Sequence, residues 1–427
     1  MRIKTTERIE IWVSDELEKL NEYFKKNKMK IAFLLRPWPI YGGGETVTIT
    51  LSNEFVKRGI SVIVFYTKDS KSQNMPLIDN RVKSVFVPNI KSDEHQLSFT
   101  KNEISFASKF LSDYVEKENI DIIINQWWPA QTTQNARKRA RVVQCLHMSL
   151  FLPANYDNLT WRGLDIMKKI MGRTLYDYMH KESRCRQLEE SLPFVDKYIF
   201  LAKGFMNDYV SFRKNDRNLA KLDFCNNPLP LKCSFNKIDF NKKENMVLFV
   251  GRMYESHKKV SVMLKIWREI EADRNLDSWS FTLVGDGPDK PMFQNMAKEM
   301  QLKRVKFEGY QLPLDYYKKA KIFLMTSAHE GWPMTLVESQ ENGVVPIVMD
   351  TFSSCHDIIE NGENGFIVGM NNVTEYIKRL KSLMIDKDMR MFLCMALKGL
   401  DTCKRFSVEK IVDRWQQIFN ELLKDKS

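Results

Sequence analysis

The segment Ser327-Ala328-His329-Glu330-Gly331-Trp332-Pro333-Met334-Thr335-Leu336-Val337-Glu338 holds two acids eight positions apart, where an apolar run ends and an amphipathic one begins. Gly331 permits a sharp turn, and Pro333 suits a first helical turn, where its missing N–H has no acceptor to lose. The amides near Met334 and Thr335 then lack intrahelical partners and, with the helix dipole, form an anion site suited to a diphosphate. Glu338, one turn further on, can accept hydrogen bonds from ribose hydroxyls, while Glu330 stays on the loop. Upstream, Phe249-Val250-Gly251-Arg252 ends another apolar run, and Lys258 and Lys259 follow. Cations at a strand end and free amides at a helix start, gathered in one crevice, would stabilise charge on a departing phosphate. Alone, an acid pair or a single arginine is ordinary surface; their order together favours the diphosphate reading.

These residues need strands and helices to aim them. Residues 30–35 form a short buried run, followed by a loop with Pro37, Pro39 and Gly42-Gly43-Gly44, an amphipathic helix over 45–58 and a strand over 61–66. That order is a parallel crossover unit. Further runs at 82–87, 120–124, 142–146 and 198–201 extend it to a sheet of five or more strands. After a polar stretch the pattern repeats: strands over 246–250, 281–284, 305–308, 322–325 and 345–348 alternate with helices over 260–272, 292–300 and 334–343. The spacing predicts two doubly wound Rossmann-like domains facing a cleft. The expected boundaries are a helical extension over 1–28, a first domain over 29–228, a linker over 229–243, and a nucleotide-binding domain over 244–405. A helix over 406–427 should carry Ile411, Trp415, Ile418, Phe419 and Leu422 on one face and pack back on the first domain.

The chain has 427 residues, a length for two or more domains, with 43% hydrophobic and 28% charged residues. No run approaches a membrane span, and the charged start, with Arg2, Lys4, Glu7 and Arg8, lacks the apolar core of a signal peptide. A cytoplasmic location is expected, either in solution or at the inner face of the membrane. The seven cysteines form no C-x-x-C pair and read as reduced thiols. The net charge of +12 is concentrated in the first half, which suits nucleic acid, anionic lipid or phosphorylated substrates equally. No recognition-helix or RNP-like motif supports nucleic acid. The cluster Arg137, Lys138, Arg139 and Arg141, and the mixture of Trp161, Leu164, Ile166, Met167, Ile170 and Met171 with Arg162, Lys168, Lys169 and Arg173, would suit an interfacial helix at an anionic membrane.

The second half resembles the nucleotide-binding domain of family 4 glycosyltransferases, retaining enzymes of GT-B fold. The likeness runs through Val250-Gly251-Arg252, Lys258, Val284-Gly285-Asp286-Gly287-Pro288, Phe307-Glu308-Gly309, the Glu330 to Glu338 motif, Gly343-Val344-Val345-Pro346 and Asn361-Gly362-Glu363-Asn364-Gly365. The first half resembles the acceptor domain in Gly42-Gly43-Gly44-Glu45, in His147 at a strand end and in the strand before Ala202. The resemblance implies that Arg252 and Lys258 hold the diphosphate, Glu330 contacts the donor sugar, Glu338 holds the ribose, and the base sits near Phe307 to Tyr310, beside Glu308. It implies that His147 lines the sugar side. Gly43, Gly44, Gly251, Gly331, Trp332, Pro333, Met334, Thr335 and Leu336 would complete the donor site. Two positions depart from the family pattern: Lys259 stands where glycine is frequent, and Ala202 where serine is common. Whether Lys258 or Lys259 reaches the phosphate stays open.

The implied activity is metal-independent hexosyl transfer, with retention, from a nucleotide diphosphate sugar, UDP-hexose being favoured. The acceptor would be a saccharide or a lipid-linked saccharide in surface polysaccharide synthesis, and no cofactor would be needed beyond the co-substrate. A GT-B nucleotide-sugar epimerase or a non-catalytic sugar-nucleotide-binding subunit would use much of the same machinery. Donor turnover without acceptor would mark the first, and binding without turnover the second.

Overall fold

The computed structural model of the chain describes residues 29–39, 43–70, 77–92, 98–152, 164–214, 218–229, 240, 242–386 and 388–424. The expected extension over 1–28 and most of the linker over 229–243 lie outside the described residues. The first domain carries β1 (Lys30–Trp38), β2 (Ser61–Asp69), β3 (Lys83–Phe86), β4 (Ile122–Asn125), β5 (Arg141–Leu146), β6 (Lys197–Phe200) and β7 (Leu222–Phe224). They form one parallel sheet in the order β3-β2-β1-β4-β5-β6-β7. Residues 31–35 and 122–124 are fully buried, because helices cover both faces of a parallel sheet, and so they read as unbroken apolar runs.

The second domain carries β8 (Met246–Val250), β9 (Ser280–Val284), β10 (Val305–Gly309), β11 (Ile322–Met325), β12 (Val345–Asp350) and β13 (Phe366–Gly369), in the order β10-β9-β8-β11-β12-β13. Every pairing is parallel. Strand order therefore reverses between β1 and β4 in one sheet and between β8 and β11 in the other. A crevice opens at such a reversal beyond the carboxyl ends of the strands, so each domain contributes one to the site. The amphipathic helix Val260–Glu271 closes the second core with Val260, Met263, Leu264, Ile266, Trp267 and Ile270, all fully buried. Strands β7 and β13, which the apolar runs do not reveal, are short sheet edges where polar or half-exposed residues interrupt the signal.

The helix Val408–Lys424 leaves the second domain and packs on the first. Its Ile411, Val412, Trp415, Ile418, Phe419 and Leu422 share a core with Met29, Ile31, Phe33 and Phe55. The Phe55 and Phe419 rings lie 5.6 Å apart. At the rim Arg58 reaches Asp413 (2.5 Å) and Gln416 (2.7 Å), and Arg414 meets Asp223. Among the described residues no helix is long and apolar enough to cross a membrane. Phe419 is fully buried, so Phe419→Ala should destabilise the first domain by about 3–5 kcal/mol through lost burial and a residual cavity. Urea unfolding should show the first domain's transition moving and the second's unchanged; movement of the second alone would mean the helix belongs there.

Candidate active site

The second domain's crevice is built by two loops fastened to each other. After β8 the Gly251 amide donates to Val284 O at 3.0 Å. A Cβ on Gly285 would lie 2.0 Å from Gly251 O, and one on Gly287 would lie 2.3 Å from Met253 O. With φ of +135° at Gly285 as well, this crossing admits glycine and nothing larger. The chain then makes the helical turn Glu255–Lys258 and passes through Lys259, which adopts the left-handed conformation with φ of 51°. That conformation accounts for glycine being frequent there in the family; this chain holds it with a lysine. Thr326 Oγ1 donates to the carbonyls of Lys258 (3.2 Å) and Lys259 (3.0 Å), and the Ala328 amide donates to His257 O at 2.7 Å. The loop after β11 is thereby laid along the loop after β8.

Their side chains meet in consequence. Lys258 Nζ lies 2.6 Å from Glu330 Oε1, and both side chains are mostly shielded from solvent. Arg252 is exposed, with its guanidinium over the Tyr254 ring at 5.8 Å. His257 and His329 touch edge to face with centroids 4.2 Å apart. Burial pushes both imidazoles below their ordinary range, so they stay neutral near pH 7. Neither histidine was singled out from the sequence, where they are merely neighbours of Lys258 and Glu330.

The helix Met334–Glu341 starts at the residue the sequence reading gives and ends two residues before Gly343, with Pro333 as its N-cap rather than in its first turn. The Leu336 amide is taken by Pro333 O at 2.9 Å, leaving those of Met334 and Thr335 as the first-turn donors. Leu336 itself is fully buried. It supports the helix from the core side and offers a ligand neither side chain nor amide. Trp332 is also buried and packs on Phe406 at 4.9 Å, with its indole N–H unpartnered. Glu338 is buried and accepts a hydrogen bond from Tyr317 Oη at 3.0 Å. Burial pushes its carboxyl up to about 7. Glu308 lies exposed on the edge strand β10, next to exposed Tyr310.

Across the cleft, His147 follows β5. Its ring stacks on Trp127 at 4.6 Å, and burial pushes it down to about 4, which keeps it neutral. A Cβ on Gly331 would lie 2.3 Å from His147 O, so the turn beside Glu330 presses on the strand end that bears His147. Ser354 Oγ donates to Gly331 O at 2.7 Å. Gly43 and Gly44 begin the helix Gly43–Lys57; nothing stands within 4 Å of a Cβ at Gly43, whereas one at Gly44 would be 3.1 Å from the Trp127 ring. Ala202 is the N-cap of the helix Lys203–Arg213 and makes no side-chain cap; the Gly204 amide instead donates to Asp357 Oδ2, from the second domain, at 2.9 Å.

The basic cluster is not a free patch. Arg137 and Arg141 pair with Asp196, at 2.9 and 3.6 Å, and Arg139 pairs with Glu116 at 2.8 Å. Residues 161–163 of the expected interfacial helix lie outside the described residues. The triplet Asp386-Lys387-Asp388 matches an Asp-x-Asp metal pattern in sequence, but Asp386 Oδ2 accepts from the Phe392 amide at 3.1 Å and Asp388 lies 3.8 Å from Arg390. Among the described residues Asp350, Cys355 and His356 group metal-type donors within 4.8 Å, with Asp350 and His356 paired at 2.9 Å.

Two doubly wound domains with facing crevices, one holding cations, free amides and acids, define a GT-B transferase. Residues 41–183 match the profile of Glycosyltransferase Family 4, and residues 233–393 that of Glycosyl transferases group 1. The chain is a glycosyltransferase of the family 4 type. A Campylobacter jejuni GalNAc-alpha-(1->4)-GalNAc-alpha-(1->3)-diNAcBac-PP-undecaprenol alpha-1,4-N-acetyl-D-galactosaminyltransferase is 28% identical over 399 residues, 92% of this chain and 99% of that protein. A Salmonella typhimurium lipopolysaccharide 1,6-galactosyltransferase is 23% identical over 83% of this chain and 90% of its own length. Among solved structures, the pneumococcal O-GlcNAc transferase GtfA in complex with UDP and GlcNAc shares the fold at a TM-score of 0.67 and 13% identity, over 93% of this chain and 99% of that one. The apo lipopolysaccharide outer core galactosyltransferase WaaB does so at 0.65 and 18%, over 93% and 100%.

The buried Glu338 gives stability a sign with pH. Its pKa is about 7 in the folded chain against 4.5 as reference, so its contribution is complete below pH 4.5 and is lost as pH rises through 7. Glu338→Gln should match the wild type at pH 4.5 and exceed it by about 2–3 kcal/mol at pH 8, from the size of the shift. Urea midpoints at both values test this; a gap that does not widen with pH would mean Glu338 is ionised in the free protein at neutral pH.

Proposed function

We propose that the chain transfers a hexosyl group from a UDP-sugar to a lipid-linked saccharide, with retention and without a bound metal, during surface polysaccharide synthesis. The observation that carries this reading is the Lys258–Glu330 pair, 2.6 Å apart in the β8/β11 crevice, with Glu330 on the loop that leads into the helix Met334–Glu341. An entering diphosphate offers Lys258 a stronger anion. With Arg252 and the helix amides, Lys258 then takes up the charge that grows on the leaving phosphate. Glu330, released, accepts from donor sugar hydroxyls, and Glu338 accepts from the ribose when the Tyr317 hydroxyl yields. Retention by front-face departure and attack suits motifs that supply charge stabilisation rather than a carboxylate nucleophile. The UDP in the GtfA complex supports the donor, and the PP-undecaprenol in the Campylobacter protein's name supports the acceptor.

Arg252→Ala and Lys258→Ala should each weaken UDP binding by about 1–3 kcal/mol, the worth of a charge-assisted contact. Calorimetric titration tests this, and unchanged affinity in both would remove the phosphate role. Glu338→Ala should mainly reduce UDP affinity, while Glu330→Ala, which also frees Lys258, should reduce turnover of a nucleotide-sugar panel with UDP binding kept or strengthened. The reverse pattern would exchange their roles.

A lipid-linked acceptor would bring the first domain to an anionic membrane. Supporting this, the consecutive helices Leu164–Met171 and Arg173–Ser191 leave Met167 and Ile170 68% and 75% exposed, and also expose Leu175, Tyr178 and Met179 near Lys168, Lys169 and Arg173. Cosedimentation with anionic liposomes should exceed that with neutral ones and fall with salt, each lysine or arginine adding about 1 kcal/mol. Met167→Ser with Ile170→Ser should reduce it. Equal cosedimentation of wild type with both liposome types at low salt would remove the membrane role.

A further inference from the structure

Two adjacent tryptophans at the end of β4 are used differently. Trp128 is buried, and its Nε1–H donates to Leu35 O at 2.7 Å. Its backbone amide donates to Asn125 Oδ1 at 2.9 Å, and Asn125 Nδ2 donates back to Trp128 O at 2.9 Å. Gln126 accepts from Thr48 Oγ1 at 2.9 Å, which ties the same loop to the helix Gly43–Lys57. The loop is thus fastened on both sides of Trp127. The Trp127 indole nevertheless has its Nε1–H shielded from solvent with no hydrogen-bond partner among the described residues. The ring stacked on it at 4.6 Å, His147, has a shielded Nε2 that is equally unpartnered.

An orphaned buried donor costs more than a hydrogen bond returns, and here a second unpartnered ring nitrogen stands on the ring stacked against it. The geometry points to the face between Gly44 and the Glu330 turn. Gly44 approaches the Trp127 ring from the first domain, and Gly331 presses on His147 O from the second. An indole N–H donates and cannot accept. A neutral imidazole nitrogen beside it suits a group that accepts from the indole and donates to, or accepts from, the imidazole. A carbohydrate hydroxyl has that pairing; a phosphate oxygen would want a cation instead.

We infer that Trp127 binds a carbohydrate hydroxyl through its indole N–H, jointly with His147, and so helps to select the sugar. The inference rests on the glycosyltransferase reading for its ligand. The hydroxyl belongs either to the hexosyl group of the donor or to the acceptor saccharide. Trp127→Phe keeps the stacked ring and removes the N–H. It should leave UDP affinity unchanged without lowering the melting temperature, and cost about three- to tenfold in binding of one sugar, as for one neutral hydrogen bond. Loss in the affinity of UDP-galactose or UDP-N-acetylgalactosamine relative to UDP assigns the hydroxyl to the donor. Loss in the KM for a saccharide acceptor, with donor affinity kept, assigns it to the acceptor.

A readout independent of turnover is the indole 15N–1H signal that disappears in Trp127→Phe. In wild type it should move when those nucleotide sugars, or millimolar galactose or N-acetylgalactosamine, are added, and not with UDP alone. If that signal ignores every sugar, or if Trp127→Phe binds all of them as wild type does, the inference is overturned. Absence of turnover with any nucleotide sugar, while the signal still responds to sugar, would instead sink the transferase reading and leave Trp127 as a sugar-binding residue.

Discussion

The spacing of the two domains depends on backbone contact at Gly331. Its Cα lies so close to the carbonyl of His147 that a side chain at 331 would meet that oxygen at 2.3 Å. A second contact of the same kind stands on the other side of the interface, where a Cβ on Gly204 would meet Ser353 O at 2.8 Å. Glu330 is one residue from the first contact, and the His147 ring extends from the other partner in it. One glycine therefore sets where an acid of the second domain and an imidazole of the first stand relative to each other. Ser354 reinforces the arrangement by donating to the Gly331 carbonyl. Because backbone atoms do not yield as a long side chain would, the cleft's width follows from chain geometry rather than from rotamers.

The interface also supplies something the first domain lacks. A serine at position 202 would cap the helix Lys203–Arg213 from within, and Ala202 cannot. Asp357 of the second domain accepts from the Gly204 amide in its place, while Ser353 donates to Asp208 on the same helix. A missing cap costs about 0.5–2 kcal/mol of helix stability. In this chain that stability is available when the domains are in contact, so helix and interface are coupled. The C-terminal helix adds a covalent return, joining the second domain to the core around Phe33 and Phe55.

The parallel sheets were legible because strands covered on both faces are continuously apolar: 31–35, 246–250 and 322–325 announce themselves. Strands β7 and β13 were not, since runs of three and four residues, one broken by Asp223 and the other ended by Gly369, are too short to announce a strand. The donor loops were legible from Gly251, Gly285 and the Glu330 to Glu338 motif, whose residue types answer to backbone geometry. Trp127, His257 and His329 were not, because an aromatic residue in a single sequence reads equally as core. What separates Trp127 from Trp128 is a hydrogen bond to Leu35 O, ninety-three positions away, which no local pattern records. The pairing of the basic cluster was hidden for the same reason: Arg137 and Arg141 share Asp196 and Arg139 meets Glu116, all distant in sequence.

In the free protein each acid of the motif already has an internal partner, Glu330 with Lys258 and Glu338 with Tyr317. On the proposed assignment, ligand binding at this site is an exchange rather than an addition. An inorganic diphosphate would draw Lys258 away and leave Glu330 shielded and unpaired, a penalty that offsets much of the gain. A neutral sugar offers hydroxyls to Glu330 but no charge to compete for Lys258. A nucleotide diphosphate sugar meets both demands at once, replacing the ion pair by two satisfied groups. On the proposed assignment the pairing would favour a donor that carries its phosphate and sugar in one molecule over either fragment, through the cost of leaving a partner behind. Neutral His257 and His329 sharpen the effect, since neither adds a positive charge that would hold a bare phosphate.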